Sequence, residues 1–324
     1  MIRSSLFIIC YTIGITACNK FPCEPEKPQL TTVITDDTFQ LTGVAISTDG
    51  RLFTNYNWAP EVHDKHFLAQ ALFADEVNNL WAVTDYANSH KLVKINLNNN
   101  TTEKTYSFDG MTAATSHIKN VQIDDQHQFA YLTNSSEGGI VVVNLATGNM
   151  RQVLQEHYST KSDPNFTFII DGRELVKNGQ PVKINSDGIA LTPDGEWLYY
   201  KPLTDDKLYR IRTEYLRNET MNSAQLGSQV EDLGHFAPTD GMIFDQKGNL
   251  YIGDMRKYAI LRITPDLKME TVTVDANLIW PDSYSISKDG WLYISCSQIQ
   301  KQPEYNEGVN KRIAPYAIYK LKIE

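Results

Sequence analysis

Six times along the chain, a short apolar run meets a turn and returns as a second apolar run ending in an aromatic residue. The first three copies join Gly43-Val44-Ala45-Ile46 to Leu52-Phe53, Ala71-Leu72-Phe73 to Leu80-Trp81, and Val121-Gln122-Ile123 to Phe129-Ala130-Tyr131. The last three join Gly188-Ile189-Ala190-Leu191 to Leu198-Tyr199, Gly241-Met242-Ile243-Phe244 to Leu250-Tyr251, and Tyr284-Ser285-Ile286 to Leu292-Tyr293. A hairpin this short cannot bury its apolar faces alone, so the copies must pack on one another. Further strand pairs, such as Ile140–Val143 with Arg151–Leu154 and Ala259–Arg262 with Thr271–Val274, extend the units to four-stranded meanders. The pattern predicts an all-β chain folded as a six-bladed β-propeller.

Spacing refines that expectation. The aromatic ends fall at 53, 81, 131, 199, 251 and 293, so the first interval is 28 residues where the others run from 42 to 68. The first blade is therefore predicted to be shortened. After the last copy only one further strand follows, over 316–323, so Thr31–Ile34 is expected to supply the outermost strand and close the ring. The longest interval holds Glu156–Lys183, whose hairpin signal at Lys177-Asn178-Gly179-Gln180 predicts an excursion over one face. A TIM barrel would need helices between the strands, and these intervals are rich in strand signals instead.

The N-terminus reads as a targeting segment. Arg3 precedes an apolar stretch from Leu6 to Ile15 that is too short to span a bilayer but suits a signal peptide. Ile15-Thr16-Ala17-Cys18 resembles a bacterial lipobox, which makes residues 1–17 the signal and Cys18 the lipidated first residue of the mature chain; an ordinary secretory signal is the alternative. Pro22, Pro25 and Pro28 predict an extended tether over 18–30, leaving 31–324 as the propeller domain. The expected location is the cell envelope or the exterior, with membrane contact through the lipid. Cys23 and Cys296 are the two remaining thiols that could oxidise there; Cys23 lies on the tether and the two are far apart in sequence, which predicts that they stay unpaired.

Charge and motifs narrow the function. With 30 Lys and Arg against 39 Asp and Glu, the formal charge of −9 repels a phosphate backbone, so nucleic acid is excluded as a partner. No Gly-x-Ser-x-Gly, His-Glu-x-x-His or phosphate-cradling loop occurs. In a propeller the residues just before each innermost strand converge on the central channel. Here these are Thr42, Asn120, Asp187, Asp240 and Asp282, a hard-oxygen set suited to Ca²⁺ or Mg²⁺. The competing explanation is that an Asp before Gly merely caps a turn through backbone N–H groups. His63, Asp64 and His66 sit on a polar stretch and read as solvated surface. Trp81, Tyr131, Tyr199, Tyr251 and Tyr293 recur at one repeat position and are predicted to be core rather than an amine cage.

Three stretches carry a family resemblance. They are Asp187-Gly188-Ile189-Ala190-Leu191-Thr192-Pro193-Asp194-Gly195 running on to Leu216-Arg217-Asn218; Asp240-Gly241-Met242 continuing to Gly248-Asn249-Leu250-Tyr251-Ile252-Gly253-Asp254; and Trp280-Pro281-Asp282 through Gln298 to Arg312-Ile313-Ala314-Pro315-Tyr316. Together, from about residue 40 to the C-terminus, they resemble the major royal jelly protein/Yellow family in its bacterial secreted branch. The resemblance implies a six-bladed propeller that is secreted and binds small molecules, amines or aromatics among them; some members are linked to dopachrome conversion. More distantly the Asp-Gly starts are similar to gluconolactonase/senescence-marker propellers, which hold a divalent cation on the axis. That likeness matches Asp240 to a ligand Asp, places Asp187 where an Asn is usual and Asn120 at a second Asn, and finds Thr42 or Gly43 in place of the ligand Glu. It implies a small-molecule site at Asn120, Asp187, Asp240 and Asp282, with Asn120, Asp187 and Asp240 as the metal set. A binding propeller and a divalent-metal hydrolase or isomerase acting on lactones remain as two readings.

Overall fold

Aspartates set the turns between the inner strands. Asp75 accepts the backbone N–H of Val77 (3.1 Å) and Asn79 (2.7 Å) on one oxygen, and the Asn79 amide and Trp81 indole N–H, both at 2.8 Å, on the other. Asp245 repeats the device with Lys247, Asn249 and the Tyr251 hydroxyl. In these two blades the turn thus fixes both the reversal and the aromatic six residues later. Trp81, Tyr131, Tyr199 and Tyr251 are buried, and Tyr293 packs half-buried on the cluster around Leu41 and Val44. They are core, as predicted.

The computed structural model describes residues 27–56, 69–86, 89–113 and 115–323. The first strand is β1 (Thr31–Asp36), followed by the hairpin β2 (Leu41–Ile46) and β3 (Leu52–Tyr56). Two four-stranded antiparallel meanders come next: β4 (Ala69–Ala74), β5 (Asn79–Tyr86), β6 (Ser89–Asn96) and β7 (Thr101–Ser107), then β8 (Ile118–Asp124), β9 (Phe129–Asn134), β10 (Ile140–Asn144) and β11 (Met150–Val153). Two small hairpins intervene, β12 (Ile169–Ile170) with β13 (Arg173–Glu174), and β14 (Val176–Lys177) with β15 (Gln180–Pro181). The third meander is β16 (Ser186–Leu191), β17 (Trp197–Pro202), β18 (Lys207–Arg212) and β19 (Glu231–His235), with the short helices α1 (Thr213–Arg217) and α2 (Ser223–Gly227) before its last strand. The fourth is β20 (Met242–Phe244), β21 (Leu250–Asp254), β22 (Ala259–Ile263) and β23 (Met269–Val274). The last sheet joins β24 (Pro281–Ile286), β25 (Trp291–Cys296) and β26 (Tyr316–Lys322) to β1.

The chain is an all-β propeller whose described residues form five complete four-stranded blades rather than six. At the remaining position stands the two-stranded sheet β2–β3, packed between β24 and β4. It is held there partly by Val44 and Ile46, whose N–H groups donate to the Ser283 and Ser285 hydroxyls at 3.3 and 2.9 Å. The physical reason is length: the 28 residues from Phe53 to Trp81 are the shortest interval of the repeat. Closure by the N-terminus is found where expected. β1 runs antiparallel to β26, with Thr31 opposite Lys320 and Asp36 opposite Tyr316, and Val33 and Ile34 packing against Tyr316 and Ile318.

The predicted excursion is present as a cap. Its hairpins turn at Asp171-Gly172 and Asn178-Gly179, all four residues having positive φ, which suits the right-handed twist of two-residue hairpins. Phe168, Ile170, Leu175 and Val182 bury themselves with Leu203, Met255, Trp280 and Tyr305. Polar pins hold the cap down: Asp171 pairs with Lys301 at 2.6 Å, and Arg173 donates to the Tyr305 carbonyl at 2.9 Å and Asn306 Oδ1 at 2.8 Å. Cys296 is a buried free thiol. Cys18, Cys23, His63, Asp64 and His66 lie outside the described residues.

Candidate functional site on the propeller axis

Asp187 lies on β16, Asp240 directly ahead of β20, and Asp282 on β24, so three neighbouring blades each deliver one carboxylate to the axis. The glycines that follow make the approach possible. A Cβ on Gly188 would stand 2.5 Å from the Asp240 carbonyl oxygen, and one on Gly241 would stand 2.4 Å from that of Asp282. Gly241 also donates its N–H to the Asp282 carbonyl at 2.8 Å. Both glycines have ordinary φ, so the Asp-Gly pair serves close backbone approach between blades and not a turn.

The carboxylates are not caps. Asp75, Asp194 and Asp245 accept backbone N–H groups in turns, whereas among the described residues Asp187, Asp240 and Asp282 accept none. Asp187 Oδ1 takes a hydrogen bond from the Asn120 side-chain amide at 2.9 Å, and Asp240 Oδ2 takes one from the Trp280 indole N–H at 2.8 Å. All three residues are buried, at 1%, 3% and 8% exposure, and Asp187 Oδ2 has no hydrogen-bond partner. The buried Ser297 hydroxyl is also without a hydrogen-bond partner. Asn120 therefore joins Asp187 as expected, and Trp280 ties Asp240 to the underside of the cap. Thr42 stands apart, its hydroxyl accepting from the Asn55 amide at 3.0 Å.

Sequence reasoning missed a cation. The β8–β9 ladder bulges between Ile118 and Val121, so Lys119 and Asn120 both leave the regular register at the axis. Lys119 is half-buried, and its charge feels Asp187, Asp240, Asp282 and Tyr305. Burial alone would lower its pKa; the three carboxylates outweigh that and raise it. Burial, then the Asp240 charge, raises Asp187 well above the carboxylate range, with Lys119 opposing. Asp282 is pushed up to about 8, by burial first and Asp240 second, again against Lys119. A second lysine, Lys201, is fully enclosed behind this set and donates to the Pro202 and Asp205 carbonyls at 2.5 and 2.8 Å. Burial pulls its pKa down to about 8 despite Asp205, Asp206, Asp187 and Asp240. The signal for Lys119 was its place beside Asn120, hidden because a regular strand would turn adjacent side chains to opposite faces.

A divalent cation does not fit this donor set. Among the described residues no three His, Cys, Asp or Glu side chains are grouped to hold a metal ion. The Asn120 amide presents N–H to Asp187 rather than oxygen to a shared centre, and the positive charge of Lys119 acts on the carboxylates. What the arrangement can do is bind cationic nitrogen and store protons: buried carboxyls with raised pKa give up protons when a positive charge arrives.

Solved structures share the fold. The chain is similar to a luciferin-regenerating enzyme (10% identity, 91% of this chain and 95% of that one, TM-score 0.57). It is similar to a gluconolactonase from Xanthomonas campestris (9% identity, 91% and 89%, TM-score 0.55) and to a streptogramin B lyase (12% identity, 92% and 98%, TM-score 0.53). At these identities the likeness shows the propeller fold alone. No curated protein sequence matches the chain. The model of one family, major royal jelly protein, matches residues 73–322, which is more than half of the chain and includes Lys119 and all three axial aspartates; the protein belongs to that family.

Proposed function

We propose that the protein binds a small organic ammonium, an aromatic amine being the leading class, at Asn120, Asp187, Asp240 and Asp282 on the propeller axis. One observation carries this reading: three buried aspartates from three neighbouring blades line the axis, and Asp187 Oδ2 has no hydrogen-bond partner. A ligand N–H⁺ supplies both the charge and the hydrogen bond, and it displaces the protons that raised pKa values hold on Asp187 and Asp282. Lactone hydrolysis assisted by Ca²⁺ or Mg²⁺ is the weaker reading, because the donors do not fit the ion. Within the same proposal, β2–β3 is the remnant of a sixth, shortened blade, and Cys18 anchors the domain to the cell envelope by lipid.

Calorimetric titration of tyramine into the protein, in two buffers of different ionisation enthalpy, tests the reading. Binding is expected with net proton release, and D187N/D240N is expected to weaken it at least tenfold while keeping a native melting curve. Equal binding by the double variant, or no heat with the wild-type protein, would overturn it.

A further inference from the structure

Between β11 and the cap runs a short stem, and a chain of hydrogen bonds holds it to the ring. Tyr158–Thr160 form a single 3₁₀ turn packed on β17. His157 caps that turn: its Nδ1 accepts the Ser159 backbone N–H at 3.4 Å and lies 2.7 Å from Ser159 Oγ. Ser159 Oγ lies in turn 2.7 Å from the Tyr200 hydroxyl of β17. Ser159 and Tyr200 are fully buried, and among the described residues Ser159 is the one hydrogen-bond partner of the Tyr200 hydroxyl. These contacts fix the direction of each proton. Tyr200 must donate to Ser159 or leave its own O–H unpaired in the core, so Ser159 donates to His157 and Nδ1 must be a bare acceptor. The ring is therefore neutral with its proton on Nε2, and a second proton would land on the atom that holds the turn. Reversing the chain would orphan the Tyr200 proton and set an N–H against the Ser159 backbone N–H.

The groups around the ring do not favour its charge. Gly227 of α2 closes on one edge, where an added Cβ would stand 2.8 Å from His157 Cδ2; the Tyr158 ring lies 4.4 Å across, with Tyr209 of β18 behind it. Tyr158, Tyr200 and Tyr209 are the titratable groups on the packed elements, and Glu156 on the stem is turned to solvent and paired with Lys161 at 3.5 Å. Burial accordingly lowers the His157 pKa. The stem also begins under strain. Leu154 is fully buried at φ +60°, and its carbonyl accepts from the His157 N–H at 3.1 Å and from Thr160 Oγ1 at 2.6 Å, so the turn that His157 caps holds a left-handed leucine in place.

We infer that His157 is a pH-sensitive latch on the stem of the cap: the neutral imidazole keeps Tyr158–Thr160 docked on β17, and protonation releases that turn while Ser162, bonded to Asn185 and Thr204, keeps the cap attached. A free imidazole takes its proton near pH 6.5. Because the docked turn resists that proton, docking is complete above this pH and weakens as pH falls below it. The inference needs no ligand on the axis.

Nitrogen NMR of the full chain labelled with ¹⁵N-histidine tests it, His157 being assigned by its absence from H157N. At about pH 8 the His157 ring should carry its proton on Nε2, and it should take the second proton at a lower pH than a free imidazole. Asparagine at 157 offers an oxygen to the same Ser159 groups but cannot titrate. Hydrogen exchange over residues 155–161, compared between wild type and H157N at each pH, should agree at about pH 7.5 and differ by about tenfold or more at about pH 5, the wild type exchanging faster while the blades stay equally protected. S159A should exchange fast at both. An Nδ1-protonated neutral ring, titration at or above the free value, equal exchange of wild type and H157N at the lower pH, or slow exchange in S159A would each overturn the inference. If H157N does not fold, S159A assigns the ring signal by shifting it, and the tautomer and titration of wild-type His157 decide.

Discussion

Asp282 gives the axis a pH signature that can be worked out in sign. Its carboxyl is held protonated up to about 8 in the fold, facing Asp240, Lys119 and Ser297, while in the unfolded chain it ionises near 4. Below about pH 4 both states carry the proton and the group costs nothing. As pH rises from 4 to 8 the unfolded chain releases the proton and the folded one does not, so stability falls across that window and levels off above it. D282N mimics the protonated form and removes this dependence. Thermal melts of wild type and D282N should therefore nearly coincide at pH 4 and diverge toward pH 8, with the variant the more stable. A gap independent of pH would show that Asp282 does not hold its proton. Lys201 acts in the opposite range, since its amine is neutral in the fold down to about 8 and the cost of that appears as pH drops from above 10.

At the level of single elements, two strands do what no side chain could do alone. The bulge in β8 takes Lys119 and Asn120 out of the regular register, and Asn120 there donates its amide to Asp187. β1 closes the last blade by pairing with β26, which would otherwise offer a row of free backbone groups. Deleting the chain through Asp36 removes that ladder and the partial burial of Val33 and Ile34, worth about 1–3 kcal/mol in apolar contact alone. The truncated protein is expected to melt at lower temperature and to aggregate, which calorimetry and light scattering would register. An unchanged melt would mean that β26 tolerates an open edge.

At the scale of the whole molecule, the proposed lipid anchor would decide where the propeller resides. Lipidation at Cys18 would add several acyl chains at about 0.8 kcal/mol per buried CH₂, far more than the marginal grip of one chain. Wild-type protein should then sediment with membranes and C18S should remain in the soluble fraction. Equal partitioning of the two would leave the domain without a lipid anchor.

Contiguous residues determine the turns and the strands, and those were legible in the sequence. Asp75 through Trp81 and Asp245 through Tyr251 write their own reversal and their own buried aromatic, because every partner lies within six positions. The closing pair of β1 with β26 was legible too, since an odd strand at one terminus needs a partner at the other. Asp187, Asp240 and Asp282 could be nominated, because a propeller sends that repeat position to its axis. Tertiary structure alone decided what those aspartates do. That Asp-Gly serves inter-blade approach depends on carbonyls of the next blade, 52 positions on for Gly188 and 41 for Gly241. That Lys119 and Asn120 leave the regular ladder beside the set depends on a bulge, and a bulge is a matter of register between strands, which the order of residues along one strand does not record.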